Sequence, residues 1–254
     1  MEKDEKNLEK VAMLAGEILL TSGAEIFRVE ETIQYILSSF GKEAEAMVFS
    51  TGIFIHIKGE AIQAKTMVKR VSERTTNLHR IYQVNMVSRQ LCNGELDLLQ
   101  ASEQLEHIRK VHQYSSLKKE VSYISVALFF CVLLKGSFLE CISAGVVGGI
   151  LGMVILLSNR LRLNSFCINV LGAFTIGITA LIISNYIIPQ ISSDLLIISA
   201  IMPLLPGVTF TTAVRDILNG DYSSGVARMV EAVVTALAVA VGVGTGIALF
   251  ARIL

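Results

Sequence analysis

Up to about residue 120 the apolar residues recur singly, at helical or alternating spacing, and from Val121 onward they merge into long unbroken runs. In the first part, Leu8, Val11, Ala15 and Ile18 predict an amphipathic helix over about 5–20. Ile26, Val29, Ile33, Ile36 and Phe40 predict a second helix, stopped by Gly41. Between them, Ser22 and Glu25 have capping-box spacing, which predicts a hydroxyl taking an N–H of the new helix and a carboxylate returning to the cap. Residues 46–58 (AMVFSTGIFIHIK) alternate like strands, with Ile53, Ile55 and Ile57 on one side and Gly52 as a turn or bulge. Thr66–Ser72 reads as a further strand. Asn77 is the expected N-cap of a helix to about Cys92, ended by Asn93-Gly94. Asp97 caps a last helix that turns Ala101, Leu105 and Ile108 inward.

The runs that follow predict five membrane spans, at about 121–134, 141–157, 166–188, 195–214 and 226–250. The first is short, and its flanking Lys118, Lys119 and Lys135 are able to snorkel to the interface. The expected fold is therefore a membrane α-helical bundle of about five transmembrane helices, preceded by a small cytoplasmic α+β domain. The division falls at residues 1–118 and 119–254. Lys118 and Lys119, Arg160 and Arg162, and Arg215 and Arg228 lie at one set of loops, whereas the opposite loops carry only Lys135. The positive-inside rule places the N-terminal domain in the cytoplasm and the C-terminus outside.

The fourth span is interrupted. Pro203, Pro206 and Gly207 fall inside LLIISAIMPLLPGVTFTTAV, with Ser199, Thr209, Thr211 and Thr212 around the break. Proline removes a backbone hydrogen bond, and freed backbone groups survive in hydrocarbon only where protein or a water-filled cavity satisfies them. A helix restarting after Pro206-Gly207 presents N–H groups and the positive end of a dipole, for which a carboxylate is the natural guest. Interrupted helices of this kind form the substrate sites of many secondary transporters. Ionisable residues near a bilayer are functional candidates, here Asp216, Arg228 and Glu231. Arg228 and Glu231, one turn apart, are placed to pair. The competing reading is a hairpin turning at Asn219-Gly220-Asp221, with Arg215 facing the lipid headgroups. Gly145-xxx-Gly149, Gly148-xxx-Gly152 and Gly242-xxx-Gly246 predict close helix packing, within the chain or between copies in a homo-oligomer. Asn159, Asn164, Asn169, Thr175, Thr179 and Asn185 are expected mainly as interhelical hydrogen-bonding groups.

Composition narrows the chemistry. The formal net charge is zero, so nothing points to nucleic acid. The charged start MEKDEKNLEK fits no secretory signal. Cys92, Cys131, Cys141 and Cys167 lack CxxC spacing and read as free thiols, and the four histidines form no ligand pair. With no GxxxxGK[ST] and no GxSxG in the chain, neither ATP hydrolysis nor a hydrolase elbow is expected, and no cofactor or metal is implied.

Three blocks carry a family resemblance: LLTSGAEIFRVEETI, NLHRIYQVNMVSRQLCNGELDLLQASEQLEHI and LLPGVTFTTAVRDILNGDYSSGVARMVEA. Through them the chain resembles the N-terminal portion of the threonine/serine exporter (ThrE) family, in the form of its stand-alone YjjP-like subunit. Pro206, Gly207, Arg215, Asp216, Gly220, Asp221, Gly225, Arg228 and Glu231 stand where that pattern has them. The resemblance implies a subunit of an inner-membrane exporter of small carboxylate metabolites, either threonine/serine-type amino acids or dicarboxylates. It also implies a companion membrane subunit of the C-terminal (YjjB-like) type, since full-length relatives continue beyond the position of Leu254. The expected mechanism is alternating access around Pro203–Gly207. Helix ends, Thr211 and Thr212 hold the carboxylate, and Asp216 or Glu231 carries or senses a proton. Two rivals are a membrane-anchored scaffold acting through its cytoplasmic domain, and a hydrolase using Ser22 and Glu25.

Overall fold

A computed structural model describes residues 2–58, 64–72, 74–111 and 114–253. The protein is mostly helical with one small sheet. By contacts it forms two compact units, Met1–Val111 with Gly207–Glu231, and His112–Pro206 with Ala232–Leu254. The segment 207–231, expected beyond a division at 118/119, packs with the N-terminal elements.

In the first unit, α1 (Glu2–Thr21) and α2 (Ile26–Ser39) bury the stripes read from their spacing, except that Phe40 falls at the C-cap of α2 and is exposed. Leu8, Val11, Ala15, Ile18, Ile26, Val29, Ile33 and Ile36 are all buried. Gly41 follows α2 with φ +72°, the left-handed conformation glycine adopts without a Cβ penalty. Strands β1 (Ala44–Phe49), β2 (Gly52–Ile57) and β3 (Lys65–Arg70) form an antiparallel sheet in the order β1-β2-β3. Ile53, Ile55 and Ile57 face the helices. The turn is Ser50-Thr51, and Gly52 instead opens β2 opposite Arg70. A Cβ there would lie 3.1 Å from the Lys69 carbonyl oxygen, so close strand approach, not turn geometry, asks for glycine. In α3 (Leu78–Cys92) the Asn77 side chain accepts from Arg80 N–H at 3.0 Å. In α4 (Leu98–Lys110) Asp97 and Gln100 close a full capping box. Both caps are as the sequence predicts.

The second unit holds α5 (Ser116–Leu133), α6 (Phe138–Arg160), α7 (Ser165–Ile182) and a π-helical turn over Ile183–Ile187. After these come α8 (Ser193–Ile201) and a 3₁₀ turn over Met202–Leu204. Helix α9 (Gly207–Leu218) lies in the first unit. Helix α10 (Tyr222–Ile253) starts in the first unit and contributes Ala232 onward to the second. Among the described residues, α6, α7 with its π turn, and α10 are long and apolar enough to cross a membrane, and the broken pair α8/α9 is a fourth if counted as one span. Helix α5 is not in that set, because Lys118, Lys119 and Glu120 occupy its first turns.

Glycine sets the packing of this unit. A Cβ at Gly148 would lie 2.6 Å from the Tyr123 carbonyl oxygen and 2.7 Å from Ala127 Cβ, so α5 and α6 touch backbone to backbone. Gly145 and Gly149 flank the seam against Leu128 and Ile124. At Gly242 and Gly246 the same test meets Val170 O at 2.4 Å and Phe174 O at 2.8 Å, joining α10 to α7. Both predicted small-residue seams therefore form within the chain. Thr175 and Thr179 do not bridge helices as expected; their hydroxyls donate to Leu171 O and Thr175 O of their own helix. Asn185 likewise donates to Leu181 O.

Candidate functional site

The break is real. Helix α8 ends at Ile201, Pro203 sits in the 3₁₀ turn, Leu205 N–H reaches Met202 O at 3.3 Å, and α9 begins at Gly207 after Pro206. Proline lacks the N–H that would carry the helix on, so the chain tightens and restarts. Thr211 is exposed, and its hydroxyl is spent on Gly207 O and Val208 O, both 3.0 Å away in its own helix. Thr212 points the other way and is buried.

From Gly207 onward α9 turns its Thr212, Ala213 and Asp216 face into the first unit. The turn at Gly220, φ +95°, returns the chain into α10, as the hairpin reading predicts. Gly225 permits the close return, since a Cβ there would meet Ile217 Cγ1 at 2.5 Å and Ala213 O at 3.0 Å. Asp216 has no exposed surface, and its Oδ1 accepts from Ile26 N–H at 3.0 Å. It thus caps α2 from 190 residues away. Arg228, 3 % exposed, places Nη1 3.3 Å from Asp216 Oδ2 and donates from Nη2 to Ala24 O at 2.8 Å.

Three expectations change here. The Ser22–Glu25 capping box does not form: Glu25 makes no cap bond, and Ser22 Oγ is buried with no partner among the described residues. Asp216 holds the helix start in its place, and a fully buried Ser22 offers no accessible nucleophile. Arg228 meets Asp216 across the hairpin, because its side of α10 packs inward. Arg215, expected at headgroups, meets Glu25 Oε1 at 2.5 Å.

An acidic pair lies beside this hairpin. Burial pushes the Glu30 carboxyl above its ordinary range, against the Val48 N–H that donates to it at 2.8 Å, and the negative charge of Asp221 adds to the rise. Burial likewise raises Asp221, opposed by the Arg228 guanidinium.

Within the same unit is a cavity of about 120 Å³. Val208, Thr209 and Thr212 of α9 form one wall, and Arg228 and Glu231 of α10 another. Gly23 and the segment Arg74-Thr75-Thr76 close it. That segment is fixed by Thr75 N–H to Thr21 O (2.8 Å) and Asn77 N–H to Ser22 O (2.9 Å). Arg74 Nη2 meets Glu231 Oε2 at 3.0 Å. Two guanidinium groups, one carboxylate and four threonines surround a space well below the roughly 300–1,000 Å³ of drug-sized sites. The volume suits a small polar metabolite. Guanidinium groups recognise carboxylates with directed, charge-assisted bonds, and hydroxyls complete the coordination. Among the described residues no group of three His, Cys, Asp or Glu side chains is placed to hold a metal ion.

Of the residues singled out from sequence, Thr209, Thr212, Arg228 and Glu231 line this cavity, and Asp216 stands behind Arg228. Gly207 opens α9, and Pro203 and Pro206 shape the interruption before it. Arg74, Thr75, Thr76 and Gly23 were not anticipated. Thr75 and Thr76 precede the Asn77 cap in a polar stretch where periodicity ranks nothing, so the sequence carried no signal for them. Glu120 was also missed. Its Oε2 is buried without a hydrogen-bond partner among the described residues, and a Cβ on Gly152 would lie 2.5 Å from it. A carboxylate one turn into an apolar helix was the available signal.

Comparison with known proteins agrees with the resemblance. The ThrE family model, that of the threonine/serine exporters, matches residues 10–250. A protein of Mycobacterium tuberculosis (strain ATCC 25618 / H37Rv) named "Probable threonine/serine exporter" is 25% identical over 233 residues, covering 90% of this chain and 43% of that protein. The chain thus spans less than half the length of that relative. No solved structure matches it.

Proposed function

Because the chain belongs to the ThrE family, we propose that it is one subunit of a secondary exporter of small carboxylate metabolites, either threonine/serine-type amino acids or dicarboxylates. The observation that carries this reading is the small cavity faced by Arg74, Arg228, Glu231 and the threonines of α9. The guanidinium groups take the carboxylate, Thr209 and Thr212 orient it, and Glu231 carries or senses the coupling proton. Asp216, committed to Ile26 and Arg228, serves as the brace that holds Arg228 in place. Exchange between two access states takes place around Pro203–Gly207, where the broken backbone yields most readily.

The exporter sits in the inner membrane with five spans, α5 among them, and with residues 1–118 in the cytoplasm. Lys118, Lys119, Arg160 and Arg162 support that orientation. It works with a companion membrane subunit of the C-terminal (YjjB-like) type, as the resemblance to the family implies.

The test is efflux of labelled threonine and succinate from vesicles holding both subunits under an imposed pH gradient. Arg74→Gln is expected to lower efflux at least about tenfold, the loss of one charge-assisted contact, with insertion unchanged. Glu231→Gln is expected to remove the dependence on the gradient. Unchanged efflux in both variants takes the cavity out of the pathway. Absence of flux for any carboxylate in the unaltered pair would instead favour a membrane-anchored scaffold.

A further inference from the structure

The start of α5 and the end of α6 enclose an open groove of about 340 Å³. Lys118, Lys119, Ser122 and Asn159 form its polar rim, and Ile155 and Leu156 its apolar wall. We infer that this groove is a binding site for an anionic phospholipid, the phosphodiester held by Lys118 and Lys119 and an acyl chain laid along Ile155 and Leu156.

Three observations point to that occupant. The first is charge. Among the described residues neither lysine meets a carboxylate, whereas Lys42, Lys58, Lys65 and Lys69 of the other unit each have one. Glu120, the acid of the same turn, is packed onto Gly152 and does not line the groove. The second is position. Helix α6 is a 23-residue membrane candidate ending at Arg160. Its length of about 35 Å slightly exceeds the hydrocarbon thickness, so Asn159 falls where headgroups begin. The third is the two-sided lining. Ammonium, hydroxyl and amide donors meet a phosphate, but a free phosphate would leave the apolar wall with no role. A two-part ligand uses both, in the way basic segments beside membrane helices attract anionic headgroups. The inference rests on the membrane placement of α6 and not on the export reading.

The test uses the full chain in detergent, with native mass spectrometry counting retained phosphatidylglycerol against phosphatidylcholine of the same acyl chains. Retention of phosphatidylglycerol is expected to fall about tenfold or more in Lys118→Gln/Lys119→Gln, since each lysine near an anionic surface contributes several-fold. It is expected to return in Lys118→Arg/Lys119→Arg. Arg160→Gln/Arg162→Gln, which removes the same charge beside the groove, should change it much less. Equal retention of the two lipids, or equal losses in the two glutamine pairs, overturns the site. Displacement of the lipid by inorganic phosphate alone would also overturn it, showing a free-anion site instead.

Discussion

In the unit built on α1, the side chains with least exposure are mainly large: Ile18, Leu19, Leu20, Ile26, Ile33, Ile36, Ile53 and Leu105. In the unit built on α6, Ala127, Ala144, Ala173, Ala180, Ala200 and Ala238 have no exposed surface, and the glycine seams run among them. Leu151, Ile176 and Leu196 are buried there as well, but many other large side chains of the second unit point outward, with Phe129 at 67%, Phe138 at 79% and Met153 at 66% exposure. Water drives the first arrangement, because burying a Leu or Ile side chain stabilises by about 1.5–3 kcal/mol. Lipid gives no such return, so helices there associate through van der Waals contact at short range, which small residues permit. Charge is handled differently too. The first unit buries an Asp–Arg pair and gives each member one backbone hydrogen bond, whereas the second leaves its lysines and arginines at helix ends.

The contrast breaks most visibly at Asp216. Asp216→Ala leaves Arg228 buried without its partner and α2 without its cap, for which a loss of about 3–5 kcal/mol is expected. Thermal or denaturant unfolding of the detergent-solubilised chain would record it. Asp216→Ala with Arg228→Met should recover part of that loss, since two well-packed apolar groups avoid the stranded charge. A loss in the double variant equal to the sum of the two single-variant losses would show that the pair acts as two independent groups.

A smaller effect probes the other unit. Gly148→Ala drives a methyl into the Tyr123 carbonyl and Ala127, and should cost about 1–3 kcal/mol as overpacking. Gly152→Ala meets the far end of Glu120, which can swing aside, and should cost less. Gly244→Ala, with nothing within 4 Å, is the control expected to be neutral or mildly stabilising. If Gly148 and Gly244 respond alike, the seam is not what holds α5 to α6.

The smallest effect is in pH. A carboxyl raised above its ordinary value of 4.5 contributes stability that is fully present below 4.5 and is lost as pH rises through the folded value. Glu30 is such a group, and Asp221 acts in the same direction. Glu30→Gln keeps an acceptor for Val48 N–H without the charge. Its melting temperature should match the parent near pH 4 and exceed it by a growing margin toward pH 8. A constant difference across that range would remove burial of the charge as the cause.

Much of this architecture was legible locally. Periodicity located α1, α2 and the alternating strands. Polar residues at the right offset located the caps at Asn77 and Asp97, and glycines one turn apart located both membrane seams. Each depends on neighbours within a few residues, or on a repeat along one element, so sequence order carries the information. The Ser22–Glu25 motif shows the limit: it has the spacing of a cap but makes none. A buried carboxylate from α9 instead takes the Ile26 N–H at the helix start, with a charge aligned to the helix dipole, a stronger partner than a serine hydroxyl.

By itself, then, the sequence determined where helices start, stop and turn apolar, and that the chain belongs to the ThrE family. Only the tertiary structure decided that Asp216 and Arg228 brace α2, that Glu231 meets Arg74, and that Thr212 and not Thr211 faces a cavity. These choices join residues 157 and 190 positions apart. They depend on which face of α9 and α10 is buried, and the cost of leaving a buried charge unpaired selects among partners that no local pattern distinguishes.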